Sequence, residues 1–504
     1  RWAGSIRGPR PGNSPVLDAQ QRSTGGSGTP GSPPRRARWL GAVAGLLAAV
    51  VPLGLTFGFT VDDALVSARV AHHLGVGLGH RYNPAGPAVD AVTPLGWAHL
   101  LAPVARGGVL PAWQAARLLG VAAWLSAGTW LGAAVGARGH RATRFVPLLF
   151  VAASVPAAAW AGAGLETGVV TALATVALGR PRAALLAGGL AAGWRPELLP
   201  WALALALGTA WADGDLARGA PRPARLATAA AAALAPAAAV AALRSLWFGS
   251  PPPLALLAKP SDLAHGAYYA AAAAIWTGAP LLIAAPRALA RAAPRVRAAA
   301  LALVVHFLAL VAAGGDWMPL FRLAVPVLPG AALVAAALAE HARSWSTWAR
   351  TVGAAGFGVA LLVAQGAELR RVAERRVALV EAARPLLGDA RRVAALDVGW
   401  VGAVGSLHVV DLAGITDPTI AVLPGGHTTK RVPHDLVDAR DVDHVVLLLA
   451  PDATPGNPWA RTTFARRVEA TVAEDACERG FELLGTIPLG GTRQRYVVAR
   501  RSSP

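Results

Sequence analysis

The chain has a single cysteine, a single methionine and only two lysines, Lys259 and Lys430, in 504 residues, and just 15% of it is charged. One thiol, Cys477, excludes an intrachain disulfide and any cage of cysteine ligands around a metal. Acid is scarce as well: 28 Asp and Glu stand against 47 Lys and Arg, a formal net charge of +19. With 54% hydrophobic residues the composition is far too apolar for a soluble domain of this length, which places the chain in a lipid bilayer. The excess arginine sits in short clusters between apolar stretches, the pattern of cytoplasmic membrane loops, so no nucleic-acid partner is expected.

What is present is a succession of apolar stretches. A helix needs roughly 20 residues to cross about 30 Å of hydrocarbon. By that measure we read about 11 transmembrane helices, at 39–59, 112–136, 145–161, 165–179, 183–193, 198–211, 226–243, 267–285, 298–313, 323–340 and 351–367. Residues 1–38, rich in Gly, Pro and Ser up to residue 34, read as a disordered cytoplasmic tail without a cleavable signal. Arg35, Arg36 and Arg38 then hold the start of the first span inside, and the loops of matching parity carry Arg138, Arg141 and Arg144, Arg180 and Arg182, Arg218, Arg222 and Arg225, Arg287 to Arg297, and Arg343 with Arg350. Little acid accompanies them beyond Asp213 and Asp215.

The loops of opposite parity mix acid, base, aromatic and Gly/Pro residues, in FTVDDALVSARVAHH, AGAGLETG, GWRPE, RSLWFGSPPPLALLAK and GGDWMPLFR. Segment 60–111 reads as a long outer loop with amphipathic helices at 62–74 and 94–105 lying along the membrane surface. From about 370 the apolar runs shorten to strand length in VAALDV, HVVDLA, HVVLLLA and RYVVAR, with helical segments near 370–387 and 459–475. We therefore expect a transmembrane domain over 39–369 and an extracytoplasmic α/β domain over 370–504.

Asp62 and Asp63 follow directly on the first span, where adjacent carboxylates are costly and point to function. One could serve as general base while the other positions a hydroxyl or binds a divalent cation such as Mg, Mn or Ca; the plain alternative is a solvated helix end. Arg69 lies two helical turns after Asp62, as an ion-pair partner or a substrate contact. Glu166, Arg195, Glu197, Arg244, Lys259, Asp316 and Arg322 are the other outer-face charges, and the cations among them suit a phosphate. Trp97, Trp194, Trp247 and Trp317 fit an interfacial aromatic belt, with Trp97 and Trp317 as candidates to stack on a sugar ring. The Gly-rich turn DVGWVGAVGS lacks the spacing of a nucleotide loop; carbohydrate contact or packing on the membrane part suits it better.

The run VDDALVSARVAHHLGVGLGHRYNPAGPAVDAVTPLGW resembles the first outer loop of GT-C glycosyltransferases related to the mycobacterial terminal arabinofuranosyltransferase. GLET, RPE, GGDWMP-F-R and VVDLAG-TDP are similar to that group in the same order, and the resemblance covers most of residues 55–420. It implies a GT-C fold, a polyprenyl-phosphate sugar donor, inverting transfer to a cell-envelope glycan acceptor, and an active site on the outer face of a bacterial plasma membrane. By matching position it makes Asp62 and Asp63 the catalytic pair. Asp90 stands where relatives tend to have Glu, a departure that bears on the identity of the sugar. The rival expectations are a transporter or flippase of lipid-linked sugars and a non-catalytic membrane scaffold.

Overall fold

A computed structural model describes residues 35–138, 142–179, 181–212, 221–259, 261–277, 285–341, 344–451, 459 and 463–502. The tail at 1–34, the residues Arg141, Arg180, Asp213, Asp215, Arg218 and Arg343, and positions 278–284 of the expected span 267–285 lie outside the described residues. The main helices are α1 (Arg35–Thr56), α2 (Asp62–Gly75), α3 (Val109–Gly136), α4 (Thr167–Ala177), α5 (Pro181–Trp194), α6 (Leu199–Ala212), α7 (Arg222–Phe248), α8 (Leu263–Trp276), α9 (Pro294–Ala313), α10 (Leu328–Ala339), α11 (Ser344–Leu369), α12 (Val372–Ala383) and α13 (Arg467–Glu478). Proline in the first turn and a left-handed glycine after the last turn bound α9 (Pro294, Gly314) and α7 (Pro223, Gly249), where an orphan N–H is absent and a positive φ is needed.

Among the described residues six helical stretches are long and apolar enough to cross a membrane: Arg35–Thr56, Val109–Gly136, Arg222–Phe248, Pro294–Ala313, Arg322–Ala339 and Thr347–Ala383. The remaining apolar stretches form shorter helices. The stretch read as 145–161 breaks at Ala153 and Ser154 into Val146–Ala152 and Val155–Ala161, and α4, α5 and α6 have 11, 14 and 14 residues.

The most extensive helix–helix contact among the described residues is between α1 and α3. A Cβ on Gly45 would overlap the Gly128 carbonyl oxygen, and one on Gly132 would overlap that of Gly41, so backbone lies directly on backbone. Small residues four apart on both helices allow this approach, which maximises van der Waals contact where lipid offers no hydrophobic drive.

α2 departs from the surface helix expected at 62–74. Ala64, Leu65, Ala68, Val70 and Ala71 are all buried, because α2 packs against α3 on one side and against a short helix, Val398–Gly402, on the other. Gly399 and Gly402 make the second contact possible: side chains there would strike the Asp62 backbone and the Tyr82 hydroxyl. The Gly-rich turn therefore packs on the membrane part.

The C-terminal region forms a five-stranded sheet of order β2-β1-β3-β5-β4 from β1 (Arg392–Ala395), β2 (His408–Asp411), β3 (His444–Leu448), β4 (Phe481–Pro488) and β5 (Arg495–Arg501). β1 runs parallel to β2 and β3, while β5 is antiparallel to β3 and β4. All five residues of β3 are buried, as a central strand covered on both faces requires. The edge strand β4, FELLGTIP, escapes the reading above, because its exposed middle and bulge at Leu483/Gly485 blur the period-2 pattern.

Candidate functional site

A cavity of about 520 Å³ opens at the end of the bundle that carries the sheet domain. Of the twelve residues singled out above, eight line it: Asp63, Glu166, Arg195, Glu197, Lys259, Asp316, Trp317 and Arg322. They arrive from five separate chain segments, and each is set in place by the end of a helix.

Asp63 is the second residue of α2. The entry to that helix is fixed by Thr60, whose hydroxyl donates to the Ala163 carbonyl (2.7 Å) and accepts from the Trp113 indole N–H (3.1 Å). Glu166 caps α4 after a turn in which Gly164 (φ 92°) lets the backbone press on the Trp113 ring. Arg195 lies between α5 and α6. Its Nε is 2.5 Å from Glu166 Oε1 without hydrogen-bond alignment, its Nη1 is 3.5 Å from Glu197, and its Nη2 donates to the Thr167 hydroxyl (3.2 Å).

The loop GGDWMPLFR is held in an unusual backbone course, with Gly314, Gly315, Leu320 and Phe321 all at positive φ. Two consecutive left-handed non-glycine residues cost on the order of 1–3 kcal/mol each and persist only when their surroundings fix them. The surroundings here are Trp160, whose indole N–H donates to the Leu320 carbonyl (3.0 Å), Tyr269, whose hydroxyl accepts from Leu323 N–H (3.0 Å), and His306, whose Nε2 is 3.0 Å from the Leu323 carbonyl. Arg322 is thereby aimed at Asp316 (2.8 Å) and stands 5.5 Å over the Trp160 ring. Trp160, Tyr269 and His306 were not among the residues expected here; the signal for His306 was an ionisable side chain alone in an apolar helix.

Charge within the cavity is unevenly satisfied. Glu166, Glu197 and Asp316 each face an arginine, whereas Asp63 has no hydrogen bond or ion pair among the described residues, and Lys259 likewise has no ion-pair partner. Ile415 of the sheet domain closes part of the wall. His427, from the same domain, feels both Lys259 and Asp63; burial and then Lys259 push its imidazole below the usual range. Trp317 is 60% exposed at the lip and stacked on His265 at 4.3 Å, in position for a ring to lie against it.

The four other expected residues do not line the cavity. Asp62 turns away from it: its two oxygens accept from Gly399 N–H (2.6 Å) and Trp400 N–H (2.9 Å), with Arg376 3.7 Å away. It holds the sheet domain to α2, and burial pushes its carboxyl up to about 6. The pair consequently cannot close on one cation as a chelate. Among the described residues no group of three or more His, Cys, Asp or Glu converges as metal ligands.

Among the described residues Arg69 pairs with no acid. Its guanidinium donates to the carbonyls of Tyr82 (2.8 Å), Leu407 (2.5 Å), Gly405 (3.2 Å) and Gly402, stapling α2 to the sheet domain. Arg244 is taken by Asp90 (2.9 Å) and the Thr93 carbonyl, so it shapes segment 90–93, whose Ala91, Val92 and Thr93 do line the cavity. Trp97 is fully buried, edge-on to Trp194 at 6.1 Å, and has no free face for a sugar.

Residues 367–499 match a family model described as a domain of unknown function (DUF8728). No curated protein and no solved structure matches the chain.

Proposed function

We propose that this chain is a multi-pass membrane glycosyltransferase of the GT-C type, moving a sugar such as arabinofuranose or a related pentose or hexose from a polyprenyl phosphate to a cell-envelope glycan. On this reading about 11 helices cross the bacterial plasma membrane, and the cavity and sheet domain face outward. The observation that carries it is the Asp63 carboxylate, without an ion pair among the described residues, sharing one cavity with Lys259, likewise without one there, and with Arg195 and Arg322.

In the proposed reaction the acceptor hydroxyl oxygen attacks the anomeric carbon as the bond to the phosphate oxygen breaks. The hydroxyl proton passes to Asp63 as general base. Polyprenyl phosphate leaves with the bonding electrons, and its charge is met by Lys259, Arg322 and Arg195. A phosphate needs no general acid to depart. Trp317 offers a face for a sugar ring.

The test is transfer from a panel of polyprenyl-phosphate sugars by the purified chain. Asp63→Asn should lower the rate by at least about 100-fold, the loss typical of a removed general base. Asp62→Asn should keep most of the rate per folded molecule. Transfer by Asp63→Asn at the wild-type rate would remove the assignment, and a wild-type chain that uses no donor in the panel would favour a transporter or a scaffold.

A further inference from the structure

A second cavity, of about 690 Å³, lies at the opposite end of the bundle. It is bounded by the start of α1, the end of α3, the end of α4, the start of α5, the second half of α6, the start of α9 and the middle of α10. Arg38, Arg138 and Arg295 line it, and among the described residues no carboxylate does. Glu340 lies near Arg138 and offsets part of its charge. The remaining wall is mostly apolar, with Trp130, Leu178 and Val334 among its side chains.

These two halves call for one kind of ligand. Guanidinium groups match a phosphodiester through paired, charge-assisted hydrogen bonds. A free phosphate would gain nothing from Trp130, Leu178 or Val334, whereas an acyl chain would bury against them. Basic pockets between transmembrane helices are also where anionic lipid headgroups settle. We propose that this cavity is a binding site for an anionic phospholipid, with the phosphodiester at Arg38, Arg138 and Arg295 and one acyl chain along the apolar wall. The site is separate from the cavity around Asp63 and independent of the chemistry performed there.

The test uses the full chain in mixed micelles with equal amounts of phosphatidylglycerol and phosphatidylcholine, read by native mass spectrometry of retained lipid. The wild type should retain phosphatidylglycerol over phosphatidylcholine by roughly tenfold or more, and Arg38→Ala/Arg138→Ala/Arg295→Ala should abolish that preference. Leu178→Trp, which fills the apolar wall and leaves the charges, should reduce retention of both lipids. Should the triple variant not fold, Arg38→Ala alone decides: its side chain is exposed, and about fivefold weaker retention is expected for one lost arginine. Equal retention of the two lipids, or a wild-type preference in the arginine variants, overturns the proposal. So does inorganic phosphate that displaces phosphatidylglycerol completely at millimolar concentration, since the ligand would then be the free anion.

Discussion

Asp62 and Asp63 are neighbours with different tasks, and the reason is helical geometry. Successive residues on a helix point about 100° apart, so one carboxylate faces the sheet domain and the other the cavity. A pH dependence follows from the first. An acid whose pKa is about 6 when folded, against an ordinary 3.8, holds its proton more tightly in the folded chain. It therefore adds stability at low pH that is lost as the pH rises from about 4 to 6. Asp411 and Glu469, raised by burial to about 6 and about 7, act in the same sense. His73 and His80, whose imidazoles burial pushes down to about 4, act in the opposite sense, so the test is the difference between variant and wild type. The melting temperature of Asp62→Asn in detergent, relative to wild type, should rise as the pH goes from about 4 to about 6, and a difference that does not change with pH would mean that Asp62 does not titrate there. Lys259 is the natural companion test on the cavity side: if its ammonium meets the donor phosphate, Lys259→Met should raise the donor KM by about tenfold or more while leaving the melting temperature within a degree or two.

At the scale of elements, the α1 and α3 contact leaves no room for added volume. Gly132→Val would place three methyl-sized groups where the Gly41 carbonyl and Gly45 already lie, an overpacking that typically costs about 1–3 kcal/mol. Gly54→Ala on the same α1 meets nothing within 4 Å and should leave the melting temperature unchanged. A Gly132→Val protein as heat-stable as the wild type would show that the two helices are not closely packed. Helix existence was legible in the sequence because apolar runs, arginine clusters and Gly/Pro boundaries agree. Less legible was what each helix touches. α2 has an amphipathic pattern, and only the presence of the Val398–Gly402 helix more than 300 residues later explains why both of its faces are covered. The cavity residues could be read from the chain because each stands in a charged motif at the end of an apolar run. Arg69, Arg244 and Trp97 stand in similar motifs, but their partners, the carbonyls of Gly402 to Leu407, Asp90 and Trp194, are fixed by tertiary contacts that no local spacing reveals.

For the molecule as a whole, the decisive quantity is which way it sits in the bilayer. Cys477 is exposed near the end of α13 and is the only thiol in the chain, so it reports the side of the sheet domain without any engineering. In intact cells an impermeant maleimide should label Cys477, and Cys477→Ser should remove the signal. Labelling only after lysis would reverse the proposed orientation and put the Asp63 cavity in the cytoplasm. The sheet domain also supplies Ile415 to that cavity and the N–H groups that hold Asp62. This has a consequence in time. Asp62 and Gly399 are separated by 337 residues of synthesis, on the order of tens of seconds at ordinary translation rates. Throughout that interval a nascent chain carries α2 uncovered on one face, and once Arg322 has been made the groove around Asp63 still lacks the part of its wall that Ile415 closes. The ribosome therefore delivers the roof after the room, and a chain stalled before β1 would lack both the N–H groups that hold Asp62 and the Ile415 wall of the cavity.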